Sequence, residues 1–372
     1  MNYQYVNDDF MKIAYITYWD VGFESGVLKK ISRQIHSWQD AGCEVKLFVF
    51  SPSGSYWSVI SDLNLEIIQT KRLRNALIKS ESLFEKVRAW IPELIYFRFF
   101  TYYPGMAKLM ISIPTVLEIN TNDLSEMKAT EPFYLRWYHQ MTRERALKNS
   151  AGMVFLTEET AACYKHYGKP IKIIGDGINL SDFPQLPAPG NNKPKLAFLA
   201  SRFAPWHGVD KILWLAEYFK FWQFDLIGNI PADLYLKNQP NVSVHGFLGK
   251  NKYESILARA DVALGTLALH RIGMSETAPL KIREYLAYGL PTIIGHKDTD
   301  FLSKVPFLLV LPNTPKNVSE HVSEIERFVI EWMGRRVPRD LITHVDGAQK
   351  EKQRLLFFEQ VLEIKHSSTR YY

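Results

Sequence analysis

Ser275-Glu276-Thr277-Ala278-Pro279-Leu280-Lys281-Ile282-Arg283-Glu284-Tyr285-Leu286-Ala287-Tyr288-Gly289-Leu290-Pro291 sets two carboxylates seven residues apart on either side of a helix start. Glu276 reads as a residue of a turn-rich leader. Leu280 to Tyr288 reads as a short helix that carries Glu284 and is stopped by Gly289. The apolar run Pro291 to Ile294 then reads as a strand. The first N–H groups of a helix have no acceptor within it and carry partial positive charge, so the amides of Leu280 and Lys281 suit phosphate oxygens. Carboxylates on both sides can accept hydrogen bonds from hydroxyl groups. The plain alternative is a pair of solvated acids on a helix and its leader.

The same alternation of apolar strands and amphipathic helices extends in both directions, which is the pattern of parallel α/β architecture. Towards the N-terminus of this half, strands are expected at Lys195 to Leu199, Gln223 to Ile227, Val242 to His245 and Val262 to Thr266, and beyond it at Phe307 to Leu311. Pro184 to Lys195, with four prolines, reads as a linker. Before it lies a second alternating series. It has strands at Lys12 to Tyr18, Glu44 to Phe50, Leu94 to Phe97, Thr115 to Glu118, Gly152 to Leu156 and Ile171 to Ile174, and a helix from about Val27 to Gln39. Gly347 to Lys365 reads as a charged amphipathic helix. The expected domains are 1–184, 185–346, and a C-terminal helix and tail over 347–372 that crosses back to the first domain. Open parallel sheets bind ligands at the carboxyl ends of their strands, so two such halves are expected to face a central cleft.

Composition narrows the function. The chain has 372 residues, is 47% hydrophobic and carries a net charge of +6, a mild basic excess suited to an anionic ligand or an anionic membrane surface. No Lys/Arg block with interleaved aromatics points to nucleic acid. Its two cysteines, Cys43 and Cys163, lie in no metal-ligand spacing and imply no disulfide framework. A reducing, cytoplasmic setting is expected. No apolar run approaches the length of a membrane span.

Four segments of the second half fall where loops leave strand ends. In Ser201-Arg202-Phe203-Ala204-Pro205-Trp206-His207-Gly208, Arg202 offers a planar fork of donors for phosphate oxygens, with a surface salt bridge as the alternative. His207 opens the next helix, or is a packing histidine. Gly228-Asn229 reads as a turn. Gly246, in His245-Gly246-Phe247-Leu248, either lets a planar base approach the backbone or is a bare turn. The two-glutamate stretch is the fourth.

Taken in order, these segments resemble the donor half of the retaining family-4 glycosyltransferases of the GT-B fold, most strongly from Leu196 to Gly295. The fold implied is α/β, with two Rossmann-like parallel-sheet domains. The resemblance implies that Glu276 contacts hydroxyls of a donor sugar, that Glu284 contacts the ribose, and that Arg202 and the Leu280 and Lys281 amides bind the diphosphate. His207 stands where the family carries lysine, and a neutral imidazole is no fixed cation. Protonation by the diphosphate, or compensation by Lys281 or another cation, is then required. In the first half, Gly22-Phe23-Glu24-Ser25-Gly26 sits at the family's glycine-rich loop, which makes Gly22 and Gly26 candidates for donor contact. Asn120 occupies the region of a family histidine; its amide can bond a hydroxyl but cannot shuttle a proton.

The implied reaction transfers a sugar from a nucleoside-diphosphate sugar to a hydroxyl of a glycan or lipid-linked acceptor, as in surface-polysaccharide or glycolipid assembly. The nucleotide sugar is the donor substrate, and no cofactor or metal is expected, since basic groups do a metal's work and no Asp-x-Asp metal site is evident near the donor loops. Alternatives are a nucleotide-sugar epimerase of the same fold, and a non-catalytic nucleotide-sugar-binding or membrane-associated protein. Peripheral contact with anionic membrane is suggested by Lys71 to Trp90 and by Phe133-Tyr134-Leu135-Arg136-Trp137-Tyr138, which mix basic and apolar residues.

Overall fold

A computed structural model describes residues 11–18, 26–51, 62–70, 72–200, 203–231 and 239–369. The chain divides into two compact units. The first comprises Met1–Ile174 with Glu351–Tyr372, and the second is Gly175–Lys350. The proline-rich stretch from Pro184 to Lys195 lies inside the second unit.

The first unit runs β1 (Lys12–Tyr18), α1 (Gly26–Asp40), β2 (Glu44–Ser51), β3 (Leu65–Gln69), α2 (Leu73–Trp90), β4 (Leu94–Arg98), α3 (Met106–Ser112), β5 (Thr115–Ile119), α4 (Asp123–Thr130), α5 (Phe133–Asn149), β6 (Gly152–Phe155), α6 (Glu158–Ala162) and β7 (Ile171–Ile173). Its seven strands form one sheet in the order β3-β2-β1-β4-β5-β6-β7. Every pairing is parallel. Both faces are covered, so the strands read as nearly continuous apolar runs. Side chains still alternate between faces. Ala14 and Ile16 join one core with Phe48, Phe50 and Phe97. Ile13 and Tyr15 join another with Leu47, Val49 and Tyr96. Helix α1 buries Leu28, Ile31, Ile35 and Trp38, the spacing of one helical stripe.

The second unit runs β8 (Lys195–Leu199), α7 (Val209–Tyr218), β9 (Gln223–Ile227), β10 (Val242–Val244), α8 (Lys250–Leu257), β11 (Val262–Leu264), β12 (Glu276–Thr277), α9 (Leu280–Ala287), β13 (Thr292–Ile294), β14 (Lys297–Asp298), β15 (Leu308–Val310) and α10 (Val322–Trp332). Helix α11 (Gly347–Thr369) follows, and from Glu351 onward it belongs to the first unit. Six strands pair in the order β10-β9-β8-β11-β13-β15, and β12 pairs with β14 alongside as a two-stranded ribbon. Leu196 and Phe198 face one core and Ala197 the other.

Both large sheets are Rossmann-like. In each, the chain moves outward over three strands and then returns to the other side of the first. The reversal falls between β1 and β4 in the first unit and between β8 and β11 in the second. A crevice beyond the carboxyl ends of the strands at such a reversal is the binding place of open α/β sheets.

Candidate functional site

Four of the second unit's strands feed the predicted segments. Helix α9 begins at Leu280 after Pro279, whose ring suits a helix start, and it ends at Tyr288 before Gly289 at φ 85°. The Ile282 amide donates to the Pro279 carbonyl at 3.0 Å. Leu280 and Lys281 therefore provide the foremost amides of the helix. No side chain among the described residues caps this end.

The two carboxylates sit on different elements. Glu276 is not in a turn: it opens β12, in register with Lys297 of β14, and is 8% exposed. The Lys297 ammonium lies 3.9 Å from Glu276 Oε1, but Lys297 itself is largely exposed. Glu284 lies on the half-buried face of α9. There Tyr253 of α8 donates its hydroxyl to Glu284 Oε1 at 2.6 Å. Burial pushes the Glu284 carboxyl above its ordinary pKa, and the Tyr253 hydrogen bond and Lys250 oppose that rise. One carboxylate oxygen is held, and the other keeps lone pairs for a ligand hydroxyl.

His207 closes the short turn Pro205–His207 after β8 and is 9% exposed. Its ring meets Phe198 edge-on, with centroids 5.6 Å apart. Burial and then the nearby Lys281 charge push its pKa down to about 3. The free protein therefore holds a neutral imidazole at neutral pH. Gly208 behind it has φ 75°, and a Cβ there would come within 3.0 Å of Leu267 Cβ.

Lys281 does not lie along the solvent face of its helix. Its ammonium is buried over the Phe198 ring, 4.8 Å from the centroid. Burial pushes its pKa down to about 7.

Gly228 is more than a turn. Its φ is 130°, and a Cβ would come 1.8 Å from the Ala200 carbonyl oxygen, so only glycine fits. Its amide donates to the Gly246 carbonyl at 2.7 Å, which ties the ends of β9 and β10 together. Gly246 has φ 66° and open space where its Cβ would be.

Arg202 and Gly22 lie outside the described residues. Gly26 is the first residue of α1, and Asn120 follows β5 at half-burial; both belong to the first unit. The structure thus gathers Glu276, Leu280, Lys281, Glu284, His207 and Gly246 within the second unit.

Several neighbours were not legible from spacing. Tyr253, Phe198 and His296 are brought in by tertiary packing alone. Asp298-Thr299-Asp300 has the Asp-x-Asp spacing of a paired-carboxylate metal site, which corrects the expectation that no such pair is evident near the donor loops. Arg283 binds both oxygens of Asp298 and also Asp300, while Lys350 takes the other oxygen of Asp300. These carboxylates are already neutralised by buried cations and act as an ionic brace beneath α9. Among the described residues no cluster of three or more metal-ligating side chains occurs.

The two candidate membrane stretches differ. Leu73, Ala76, Leu83, Phe84 and Val87 of α2 are buried in the first unit's core. On α5, Phe133, Tyr134, Trp137 and Met141 are 58–73% exposed. Among the described residues no helix is long and apolar enough to cross a membrane.

No family model and no curated protein matches the chain by sequence. Solved structures do match along nearly its whole length. The apo form of the lipopolysaccharide outer core galactosyltransferase WaaB is 13% identical with a TM-score of 0.67, covering 95% of this chain and 100% of its own. HepE from Anabaena, in complex with UDP and glucose, is 13% identical with a TM-score of 0.59, covering 94% and 100%. The N-terminal domain of Candida albicans trehalose-6-phosphate phosphatase is 10% identical with a TM-score of 0.64, covering 97% and 98%. The chain has the GT-B fold: α/β, with two parallel-sheet Rossmann-like domains. At these identities the likeness is one of fold, and a fold hosts more than one activity.

Proposed function

We propose that this protein is a glycosyltransferase that moves a sugar from a nucleoside-diphosphate sugar to a hydroxyl of a glycan or lipid-linked acceptor, with retention at the anomeric carbon. The observation that carries the reading is the start of α9. Two foremost amides and a buried lysine stand there, flanked along the chain by Glu276 and Glu284, in the unit whose parallel sheet reverses between β8 and β11. Amides and cations suit the diphosphate, and the carboxylates suit hydroxyls of the donor sugar and the ribose. The likeness to a protein described with UDP and glucose makes UDP-sugars the first donors to test.

In the proposed reaction the bond from the anomeric carbon to the diphosphate oxygen breaks as the acceptor oxygen bonds to that carbon. The acceptor's proton passes to the departing phosphate oxygen, so no protein nucleophile is needed. The helix-start amides and Arg202 stabilise the charge growing on the leaving diphosphate, and they act most strongly where water is excluded. Glu276 and Glu284 are then ligands of the donor. They are not a hydrolase pair, which would straddle one glycosidic bond at about 5–5.5 Å. Because protein groups supply the positive charge, the transfer is proposed to be metal-independent, and a chelator leaves turnover unchanged.

The exposed aromatic stripe of α5 supports peripheral attachment to an anionic membrane surface, where a lipid-linked acceptor would reside.

The test is turnover of a panel of UDP-, GDP- and ADP-sugars with wild type and with Glu276→Gln. Sugar release or transfer from one donor is expected, with a loss of at least a hundredfold in E276Q and an unchanged melting temperature. Equal turnover in E276Q would refute the role given to Glu276. Conversion of the donor to an isomeric nucleotide sugar with no acceptor present would replace the transferase reading with an epimerase.

A further inference from the structure

Lys281 Nζ, His207 Nδ1 and His296 Nε2 are buried, with no hydrogen-bond partner among the described residues. They are electrostatic neighbours, since the Lys281 charge pushes down the pKa of both rings. Both rings are neutral, as burial brings His207 to about 3 and His296 to about 4. His296 Nδ1 lies 3.1 Å from the Thr266 carbonyl oxygen, an acceptor only, so Nδ1 carries the proton and Nε2 is a lone pair. Within this cluster, positive charge can come from Lys281 alone.

A second buried lysine of the same unit shows what a satisfied one looks like. Lys211 donates to the Leu267 and Thr314 carbonyls and to Asn317 Oδ1, at 2.6–3.1 Å. Lys281 has the Phe198 ring face and no oxygen acceptor among the described residues. A ring face replaces only part of the hydration an ammonium loses on burial. A residue held this way is matched to an anion that arrives from outside. Its place is the second position of α9, where the foremost amides also attract an anion.

We propose that the Lys281 ammonium is a cation that grips the donor's diphosphate in this protein, supplying a charge that residue 207, a histidine here, does not. This rests on the glycosyl-transfer reading and deepens it. The site takes a diphosphate, and binding draws a proton onto Lys281. The other titratable groups on neighbouring elements are His207 after β8, His296 after β13, Glu276 on β12, Glu284 on α9 itself, and the Arg283–Asp298 pair joining α9 to β14. Lys211 on α7 is also brought down by burial, to about 8, but three oxygen acceptors already hold it, so loss of proton uptake in Lys281→Met is what assigns the proton to Lys281.

The experiment is calorimetric titration of wild type and Lys281→Met with UDP, GDP and ADP at pH 8, in two buffers of different ionisation heat. From a starting pKa of about 7, wild type is expected to take up as much as about 0.9 proton per diphosphate bound. K281M is expected to take up none of this, to bind at least tenfold more weakly, and to melt higher than wild type without ligand. Undiminished affinity or persistent uptake in K281M overturns the proposal while leaving glycosyl transfer standing. If K281M does not fold, lack of proton uptake by wild type overturns it. Failure of wild type to bind any of the three diphosphates removes the transferase reading, and this proposal with it.

Discussion

Tyr253 and Lys281 act on the site through protonation, and each has a sign that can be checked. The Tyr253 hydroxyl favours the ionised form of Glu284. A hydrogen bond to a charged group contributes about 1.5–3 kcal/mol. Tyr253→Phe should therefore raise the Glu284 pKa further and move the acid limb of donor KM up by roughly one pH unit. kcat at saturating donor should change much less. An unmoved acid limb in Y253F would remove Glu284 from donor binding. For Lys281 the folded pKa of about 7 lies below the ordinary 10.5. Between those values the unfolded chain binds the proton and the folded chain does not, so ligand-free stability rises with pH across that window. Melting curves should show this rise in wild type, and it should be smaller in K281M. In the sequence Lys281 looks like any solvated helix lysine. Its burial depends on Phe198, which lies 83 positions earlier in the chain (281 − 198), and no local pattern encodes that pairing.

Among the elements, those with a strong local period were legible and those made by pairing alone were not. β1, β8 and β9 run as expected, because strands buried on both faces are continuous apolar runs bounded by turns. Helix α9 was legible from its Pro279 start and Gly289 stop. β3 was missed, since Leu-Glu-Ile-Ile-Gln lies at a sheet edge with no residue fully buried. The ribbon of β12 and β14 was missed as well: two residues have no period, and Glu276 gains its strand geometry only from Lys297 and Asp298 across the ladder. Helices α2 and α5 look alike in sequence, yet α2 buries its apolar face and α5 leaves Phe133, Tyr134, Trp137 and Met141 exposed. Phe133, Trp137 and Met141 recur every fourth residue and so share one face. Lys128 and Arg145 on α4 and α5 are exposed as well. Phe133→Ser with Trp137→Ser should abolish flotation with vesicles containing anionic lipid without lowering the melting temperature. Equal flotation of wild type and the double variant would leave α5 without that role.

At the scale of the whole molecule, the first unit is discontinuous in sequence, and its completion depends on the last turns of α11. Phe357, Phe358 and Val361 are buried in the core that contains Tyr15, Trp38 and Tyr96. Glu351 accepts the Trp38 indole N–H at 2.9 Å, and Arg354 donates to the Tyr96 hydroxyl at 2.7 Å. A charged amphipathic tail was legible in the sequence; the buried pairing of its charges with Trp38 and Tyr96 was not, because the partners come from the opposite end of the chain. Three buried apolar side chains contribute roughly 2 kcal/mol each, about 6 kcal/mol together. That is comparable to the entire stability of a typical domain, about 5–15 kcal/mol. Truncation after Lys350 also leaves the Trp38 N–H without its acceptor in a dry core, which adds to the loss. The truncated chain should therefore be cut by protease throughout residues 11–174, while a resistant fragment covering Gly175 to Lys350 survives, its six-stranded sheet and Arg283–Asp298–Asp300 brace being built from its own residues. Mass spectrometry of the surviving fragment reads this directly. Protection of residues 11–174 equal to that in the full chain would mean that α11 decorates the first unit and does not complete it.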